Sequence, residues 1–339
     1  MPQIITAKAP MWELCWRDEL KAAISDPLTL ARMLDLDAEP LAPGFAARRL
    51  FALRVPRPFV ALMEKGNGND PLLRQVLTDA AEFVESPGFS TDPLDEQDAA
   101  VPGLLHKYRS RVLFILKGGC AVNCRYCFRR HFPYADNPGS KASWQAALDY
   151  IANRPEIEEV ILSGGDPLMA KDEELAWLIE RLNGIKHLKL LRIHSRLPVV
   201  IPSRIDQSFL DTLAQSALPV TLVLHINHPA EVGQDLAKAT AALRAANVTL
   251  LNQSVLLAGI NDDAEVLVAL SHRLFAAGIL PYYLHVLDKV QGAAHFLVDD
   301  ERARVIMRQL NARLSGYLVP RLAREEAGKP GKTLMDLNL

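Results

Sequence analysis

Short apolar runs rich in β-branched residues recur along the later two thirds of the chain. Six of them, among them VLFILK, EVILSG and KLLRIH, begin at about residues 112, 159, 189, 220, 247 and 279. Between them lie segments with helical periodicity and few helix-breaking residues, such as DEELAWLIERLN and DDAEVLVALSHRLFAAG. This alternation predicts an α/β protein built from a repeated β/α unit, with parallel strands and right-handed connections.

Six units are too few for an ordinary closed eight-fold barrel, so the repeat alone fits either an open partial barrel or a doubly wound sheet. The first part of the chain differs, because its helical patterns, such as WRDELKAAIS and DPLLRQVLTDAAEFV, are interrupted by prolines. The tail, which begins at about Val319 and ends in REEAGKPGKTLMDLNL, fits an ordered loop or a mobile terminus equally well. We therefore expect an N-terminal helical region and linker over 1–105, a β/α domain over 106–300 and a C-terminal helix and tail over 301–339.

Composition excludes several classes of protein. Of 339 residues, 49% are hydrophobic, which is enough for a large buried core. Lysine and arginine total 38 against 40 acidic residues, so overall charge gives no reason to expect nucleic acid or a membrane as partner, and a small substrate is favoured. No apolar stretch reaches the length of a membrane span, and MPQIITAKAP lacks a signal-peptide pattern. We expect a cytoplasmic location.

Three of the four cysteines lie close together, directly after the first predicted strand. Cys120, Cys124 and Cys127 form a C-x3-C-x2-C run, whereas Cys15 is remote. This distribution does not fit a disulfide framework and favours a metal or cluster site, at the strand end where α/β folds place ligands. Three thiolates on an iron–sulfur cluster would leave one iron open. A zinc site without an obvious fourth ligand, or three incidental cysteines, are the alternatives.

The cysteine spacing, with Tyr126 before the last cysteine, resembles the cluster motif of the radical S-adenosylmethionine (SAM) superfamily. The resemblance implies a [4Fe-4S] cluster whose open iron chelates SAM, a 5'-deoxyadenosyl radical, Tyr126 near the adenine and a partial (β/α)6 barrel. Alone, the Gly164-Gly165-Asp166 turn after the second strand would be a tight loop that allows close approach to a ligand. In this superfamily the corresponding position holds the methionine amino group of SAM.

Further segments narrow the resemblance. VLFILKGGCAVNCRYCFRRHF, ILSGGDPL, LHINHPAEV, LLNQSVLLAGIND, PYYLHVLD and GKPGKTLMDL are together similar to the lysine 2,3-aminomutase family, and most closely to its short members, which supply (R)-β-lysine for elongation factor P. The resemblance implies an isomerase that converts L-lysine to β-lysine with a cluster, SAM and pyridoxal 5'-phosphate (PLP). It also implies an electron donor for the cluster, and a functional link to elongation factor P and a separate ligase.

The resemblance assigns residues to PLP. The family binds PLP through a lysine in a glycine-rich C-terminal segment, which here reads AGKPGK and points to Lys332, with Lys329 as the nearby alternative. Such a lysine must be able to lose its proton. Arg111 matches the residue that clamps the phosphate, and Tyr108 matches its aromatic neighbour. Without the family these residues would pass as ordinary surface positions.

Polar residues in otherwise apolar strands require partners. By resemblance, Asn252 and Gln253 in LLNQSVLL and His225 and Asn227 in LHINHP face the two organic cofactors inside the barrel. His225 could otherwise be a core histidine with its hydrogen bonds satisfied.

Substrate residues follow from the same resemblance. Arg129 matches the arginine that pairs with the substrate carboxylate, and Asp288 matches an acid that recognises the lysine ε-ammonium. A second such acid is an aspartate in longer members, where this chain has Glu325. Opposite charges at the two ends suit a long cationic amino acid. The alternatives are a 2,3-aminomutase for arginine or glutamate, and a cluster-bearing binding protein without mutase activity.

Overall fold

The computed structural model describes residues 11–97, 100–136, 139 and 141–337. The first ten residues, on which the expectation about a signal peptide rests, lie outside the described residues. So do the final two of the C-terminal tail.

One nine-stranded sheet organises the molecule, and its strands follow one another in sequence order. The strands are β1 (Leu104–Tyr108), β2 (Arg111–Lys117), β3 (Glu159–Gly164), β4 (Leu190–Ser195), β5 (Val220–His225), β6 (Thr249–Val255), β7 (Leu280–His285), β8 (Arg321–Arg324) and β9 (Thr333–Leu334). Pairing is parallel from β2 to β8, and β1 and β9 add antiparallel edges. The six predicted strands are β2–β7. The tail, left open between loop and mobile terminus, supplies the two short strands β8 and β9.

The helices are α1 (Trp16–Lys21), α2 (Pro27–Met33), α3 (Ala42–Phe45), α4 (Arg57–Val60), α5 (Pro71–Arg74), α6 (Lys141–Ala152), α7 (Asp172–Asn183), α8 (Leu197–Val200), α9 (Gln207–Leu213), α10 (Gln234–Ala245), α11 (Ala264–Ala276) and α12 (Asp300–Arg313). Helices α6 to α12 connect the parallel strands. In α7, Leu175, Leu178, Ile179 and Leu182 are buried at helical spacing, so one stripe of the helix packs on the core.

One helical prediction in the N-terminal region is wrong. DPLLRQVLTDAAEFV does not form a continuous helix, because Asp70 caps the single turn of α5 and Asp79 starts a separate 3₁₀ turn, Ala80–Phe83. Between the two turns, Gln75 is fully buried and binds Glu231 with its side-chain amide. The tertiary contact of this buried polar side chain therefore outweighs the helical periodicity of the sequence here.

The sheet curves around a cavity of about 540 Å³. Side chains from every strand between β1 and β7 line this single cavity, which a flat doubly wound sheet could not achieve. The edge strands β1 and β9 do not pair with each other, so the barrel is open. The structure thus confirms the partial-barrel prediction. No helix in the described ranges is long and apolar enough to cross a membrane.

Candidate active site

The cavity brings together nearly all the residues that the sequence singled out. They are Tyr108, Arg111, Cys120, Cys124, Tyr126, Cys127, Arg129, Gly164, Gly165, Asp166, His225, Asn227, Gln253, Asp288, Glu325 and Lys332. Residues far apart in sequence meet here because parallel strands present their carboxyl ends at one edge of the sheet.

The three clustered cysteines follow β2 and are free thiols, as is the exposed Cys15. Burial raises the pKa of Cys120 well above its usual value, and burial together with Cys124 raises the pKa of Cys127 to about 11. Such thiols ionise when a metal takes the place of the proton. In the described part of the chain, no three cysteine, histidine or acidic side chains are gathered tightly enough to hold a single metal ion. An iron–sulfur cluster does not require its cysteines to surround a single metal ion, because each thiolate binds a different iron.

A buried ion triad fixes the cysteine loop. Arg125 donates from Nε to Glu82 Oε1 at 2.9 Å, and Arg130 donates to Glu82 Oε2 at 2.8 Å, with all three side chains inaccessible to solvent. Arg125 also donates to the carbonyl of Phe51 at 2.8 Å. The loop that carries the cysteines is thereby tied to the N-terminal region.

The glycines after β3 serve loop packing. A Cβ at Gly164, where φ is +116°, would lie 2.6 Å from the Lys117 carbonyl oxygen, and one at Gly165 would lie 2.7 Å from the Gly119 oxygen. Glycine is therefore required because this turn lies directly against the backbone before Cys120. The close neighbour of both glycines is thus the cysteine loop, and their expected place beside SAM stays a prediction.

Asp166 is similarly occupied by the protein. Its carboxylate accepts hydrogen bonds from the backbone N–H groups of Leu168, Arg196 and Leu197, at 2.9–3.0 Å, and from the Ser195 hydroxyl at 2.8 Å. With both oxygens engaged, Asp166 holds the turn after β3 against the end of β4. The expected role of this position beside the methionine amino group of SAM stays a prediction.

A polar network lies beneath Cys124. Arg196, a residue absent from the sequence predictions, donates to Cys124 Sγ at 2.9 Å, to Gln75 Oε1 at 2.7 Å and to Glu231 Oε2 at 2.9 Å. Its partners are contributed by distant segments, so no local pattern marked it. Tyr126 joins the network through its hydroxyl, which binds Arg196 and also accepts a hydrogen bond from the Asn227 amide at 2.6 Å.

Gln253 and His225 form a pair inside the cavity, with Gln253 Nε2 lying 3.0 Å from His225 Nε2. Burial lowers the pKa of His225 to about 3, so the ring is neutral and its Nε2 accepts the amide proton. Asn252, on the opposite face of β6, does not line the cavity. It binds the N–H and carbonyl of Ile226 at 2.9 and 3.0 Å. The expectation that Asn252 faces the cofactors is therefore corrected.

The guanidinium of Arg129 is held by three acceptors. Nε donates to Glu96 Oε2 at 2.6 Å, and Nη1 donates to Ser163 Oγ at 3.0 Å and to the Gly164 carbonyl at 3.4 Å. Nη2 has no partner among the described residues and remains available to a ligand. Glu96 comes from the N-terminal region and also pairs with Lys107 at 3.2 Å. Sequence reasoning missed Glu96 because it lies in a polar linker.

Two acids and a lysine meet in the same cavity. Glu325 Oε2 lies 2.5 Å from Lys332 Nζ, and Glu325 Oε1 accepts from the Tyr108 hydroxyl at 3.0 Å. Burial would raise the pKa of Glu325, but Lys332 and Lys107 lower it to about 2. Burial and the neighbouring Glu325 raise the pKa of Asp288 to about 7. The two carboxyl groups of Asp288 and Glu325 can therefore bind a cationic nitrogen in this part of the cavity.

Arg111 begins β2, and its guanidinium lies 4.0 Å from the centre of the Tyr108 ring. Within the described ranges no carboxylate pairs with Arg111. A planar guanidinium held by an aromatic face and lacking an internal counter-ion suits phosphate recognition.

Comparison with known proteins identifies the family. Residues 114–270 match the model of the radical SAM superfamily. The L-lysine 2,3-aminomutase of Escherichia coli K12 is 60% identical, covering 100% of this chain and 99% of that protein, and that of Haemophilus influenzae is 62% identical over 94% and 95%. The L-lysine 2,3-aminomutase of Clostridium subterminale is 34% identical over 94% of this chain and 77% of its own. The chain therefore belongs to the L-lysine 2,3-aminomutase family of the radical SAM superfamily.

Proposed function

We propose that this protein converts L-lysine to β-lysine by moving the amino group from C2 to C3. The observation that carries the proposal is the set of charged groups in one cavity: Arg129, whose Nη2 is free, lines the same cavity as the carboxyl groups of Asp288 and Glu325 and the amine of Lys332. An amino acid with a carboxylate at one end and an ammonium group at the other complements that arrangement.

Membership of the family makes the protein an isomerase with three cofactors: a [4Fe-4S] cluster, SAM and PLP. We assign the cluster to Cys120, Cys124 and Cys127, and PLP to Lys332 with Arg111 and Tyr108 beside its phosphate. We place SAM near Tyr126, His225, Gln253, Asn227, Gly164 and Gly165. When bound, these groups supply a radical that removes a substrate hydrogen and a carbonyl that carries the migrating nitrogen.

The chain itself contributes binding and orientation. Arg129 offers its free Nη2 to the substrate carboxylate, and Glu96 and Ser163 fix the plane of the guanidinium. Asp288 and Glu325 receive the ε-ammonium, and its positive charge favours ionised Asp288. The cavity walls include Phe51, Leu94, Leu105, Phe128 and Leu287, which restrict water around reactive species.

We also propose that the three segments of the chain have different roles. The segment 1–105 closes one side of the barrel and contributes Glu96, the segment 106–300 carries the cysteines and Arg129, and the segment 301–339 brings Lys332 to the cavity. The proposed location is the cytoplasm, where a reducing environment preserves the free thiols. A protein electron donor would reduce the cluster there. The product is proposed to be (R)-β-lysine, used by a separate ligase to modify elongation factor P.

The test is anaerobic incubation of the reconstituted protein with SAM, PLP, a reductant and L-lysine, followed by chiral chromatography. Formation of β-lysine is expected, with loss in Lys332→Ala and in Cys124→Ala. Lys329→Ala is the matched control, because this lysine lies three residues from Lys332, is exposed and does not line the cavity. Cleavage of SAM without β-lysine would overturn the lysine assignment, and parallel incubations with L-arginine and L-glutamate would then identify the substrate.

A further inference from the structure

His194 is a cavity residue without a partner. It lies on β4, and its ring lines the same cavity as Arg129 and Lys332. Its Nε2 is buried and makes no hydrogen bond, and Nδ1 makes none to any described residue. The nearest ring is that of His225, with the centroids 5.9 Å apart in an edge-to-face arrangement. Nε2 is inaccessible, so a ligand in the cavity can reach this imidazole at Nδ1, and the hydrogen-bond partner of Nδ1 is expected to be a ligand.

The charge state of His194 limits which ligand this is. Burial, with Arg192 next, lowers the pKa of His194 well below its usual value, so the ring is neutral near pH 7. A neutral imidazole has one N–H donor and one acceptor nitrogen. Since Arg192, Arg129 and Lys332 all oppose protonation of this ring, His194 stands in a cationic part of the cavity. An anionic ligand group is favoured there.

The residue that neighbours His194 on β3 indicates which anionic group of a ligand His194 can contact. Strands β3 and β4 pair in parallel, with Leu162 opposite Ile193, and the residues that follow, Ser163 and His194, both line the cavity. Adjacent strands are about 5 Å apart. Ser163 Oγ accepts a hydrogen bond from Arg129 Nη1, so the guanidinium whose Nη2 is free is bound to the residue that neighbours His194 across the two strands. A carboxylate has two oxygens and can accept from both donors at once.

We propose that His194 is a substrate-binding residue that donates a hydrogen bond to the carboxylate of the amino acid held by Arg129. The inference rests on the proposed function, because it takes the substrate to be an amino acid whose carboxylate meets Arg129. His194 then shares the recognition of that carboxylate with the arginine.

The experiment measures binding of two ligands that differ only at this group, L-lysine and L-lysinamide. Each is titrated into protein carrying the cluster, SAM and PLP, without reductant so that no turnover occurs, and the change in visible absorption of PLP reports binding. The variants are His194→Phe, which removes the donor, and His194→Asn, which retains an amide N–H. His295→Phe is the matched control, because both nitrogens of His295 are also buried and unpartnered, whereas His295 does not line the cavity.

In His194→Phe the Kd for L-lysine is expected to rise roughly 10- to 100-fold, the range of a lost hydrogen bond to a charged group. The Kd for L-lysinamide should change less than threefold. His194→Asn should recover part of the loss, and His295→Phe should leave both constants at the wild-type values. Equal weakening of both ligands, or no weakening of L-lysine, would overturn the inference while leaving the proposed function in place. Failure of the wild-type protein to bind L-lysine would instead overturn the proposed function itself.

Discussion

Glu325 Oε2 lies 2.5 Å from Lys332 Nζ, so the acid assigned to the substrate ammonium is occupied by a lysine of the protein itself. The Lys332 nitrogen must leave this ion pair before it can attack a carbonyl. Once Lys332 is bound to PLP, Glu325 no longer faces a free internal ammonium. Because a substrate amine that took the place of Lys332 on PLP would release this lysine again, Glu325 would face the amino groups of both Lys332 and the substrate side chain.

Glu325→Gln should speed the attachment of PLP to Lys332 by about tenfold, because the ion pair that holds the Lys332 nitrogen in the ligand-free protein is lost. L-Lysine binding should weaken in the same variant. The measurement is the rate at which the visible absorption of covalently bound PLP appears after mixing. Glu326→Gln, the same substitution at an exposed neighbour, should behave like wild type. An unchanged or slower rate in Glu325→Gln would contradict this role.

L-Lysine binding should tighten as the pH rises through about 7. Burial and Glu325 raise the pKa of Asp288 to about 7, so below this pH the ligand-free carboxyl is protonated, and above it the carboxylate attracts the ε-ammonium. Titration of L-lysine at pH values between about 6 and 8 should show the Kd falling by up to tenfold per pH unit. Asp288→Asn should abolish this dependence.

L-Norleucine, which lacks the ε-ammonium, provides the ligand control for this titration. Its affinity should vary much less over the same range, because it offers no charge to Asp288. An equal pH dependence for both ligands would assign the titrating group elsewhere in the site.

The sequence predicted the strands and helices of the β/α domain well, for a physical reason. Strands β2, β3 and β5 are apolar runs that are largely buried, and α7 and α11 show an unbroken helical period. The sequence identified the cysteine triplet and Lys332 because each belongs to a short local motif with a recognisable spacing. Both reach the same cavity in the structure.

What the sequence did not reveal depends on contacts between distant segments. Arg196 meets Glu231 and Gln75 only after folding, and Glu96 reaches Arg129 from a linker without a periodic pattern. Asn252 was misjudged for a related reason. Motif comparison treats adjacent polar residues alike, but the twofold period of a strand sends them to opposite faces.

Substitutions of Asn252 and Gln253 should consequently change different properties: the first the stability of the fold, the second the affinity for SAM. Asn252→Ala leaves the buried N–H of Ile226 without its partner, whereas the Ile226 carbonyl still accepts from the Ser254 hydroxyl, and should lower the free energy of unfolding by roughly 1–3 kcal/mol. Its affinity for SAM should be close to wild type. Gln253→Ala should weaken SAM binding with a smaller loss of stability. Urea unfolding and equilibrium binding of SAM to the cluster-containing protein measure the two effects, and a reversed pattern would contradict the assignment.

The triad of Glu82, Arg125 and Arg130 should be a principal support of the cysteine loop. Glu82→Gln keeps the shape of the side chain but leaves two buried guanidinium groups without their anion, and removing one partner of a buried ion pair typically costs about 3–5 kcal/mol. Urea unfolding of the cofactor-free protein should show this loss as a lower midpoint. Reconstitution should also yield less cluster, as measured by bound iron and sulfide, because the loop that presents the cysteines is no longer anchored.

Glu265→Gln is the matched control for this triad. It removes a carboxylate that also pairs with an arginine, Arg313, but on the exposed surface of α11, where solvent screens the charges. Its midpoint and its iron content should equal those of wild type. If Glu82→Gln unfolded at the wild-type midpoint, the triad would not be a principal support. If it were destabilised yet took up a full cluster, the loop would be held in place by other contacts, of which the Arg196 contact to Cys124 Sγ at 2.9 Å is the first to test.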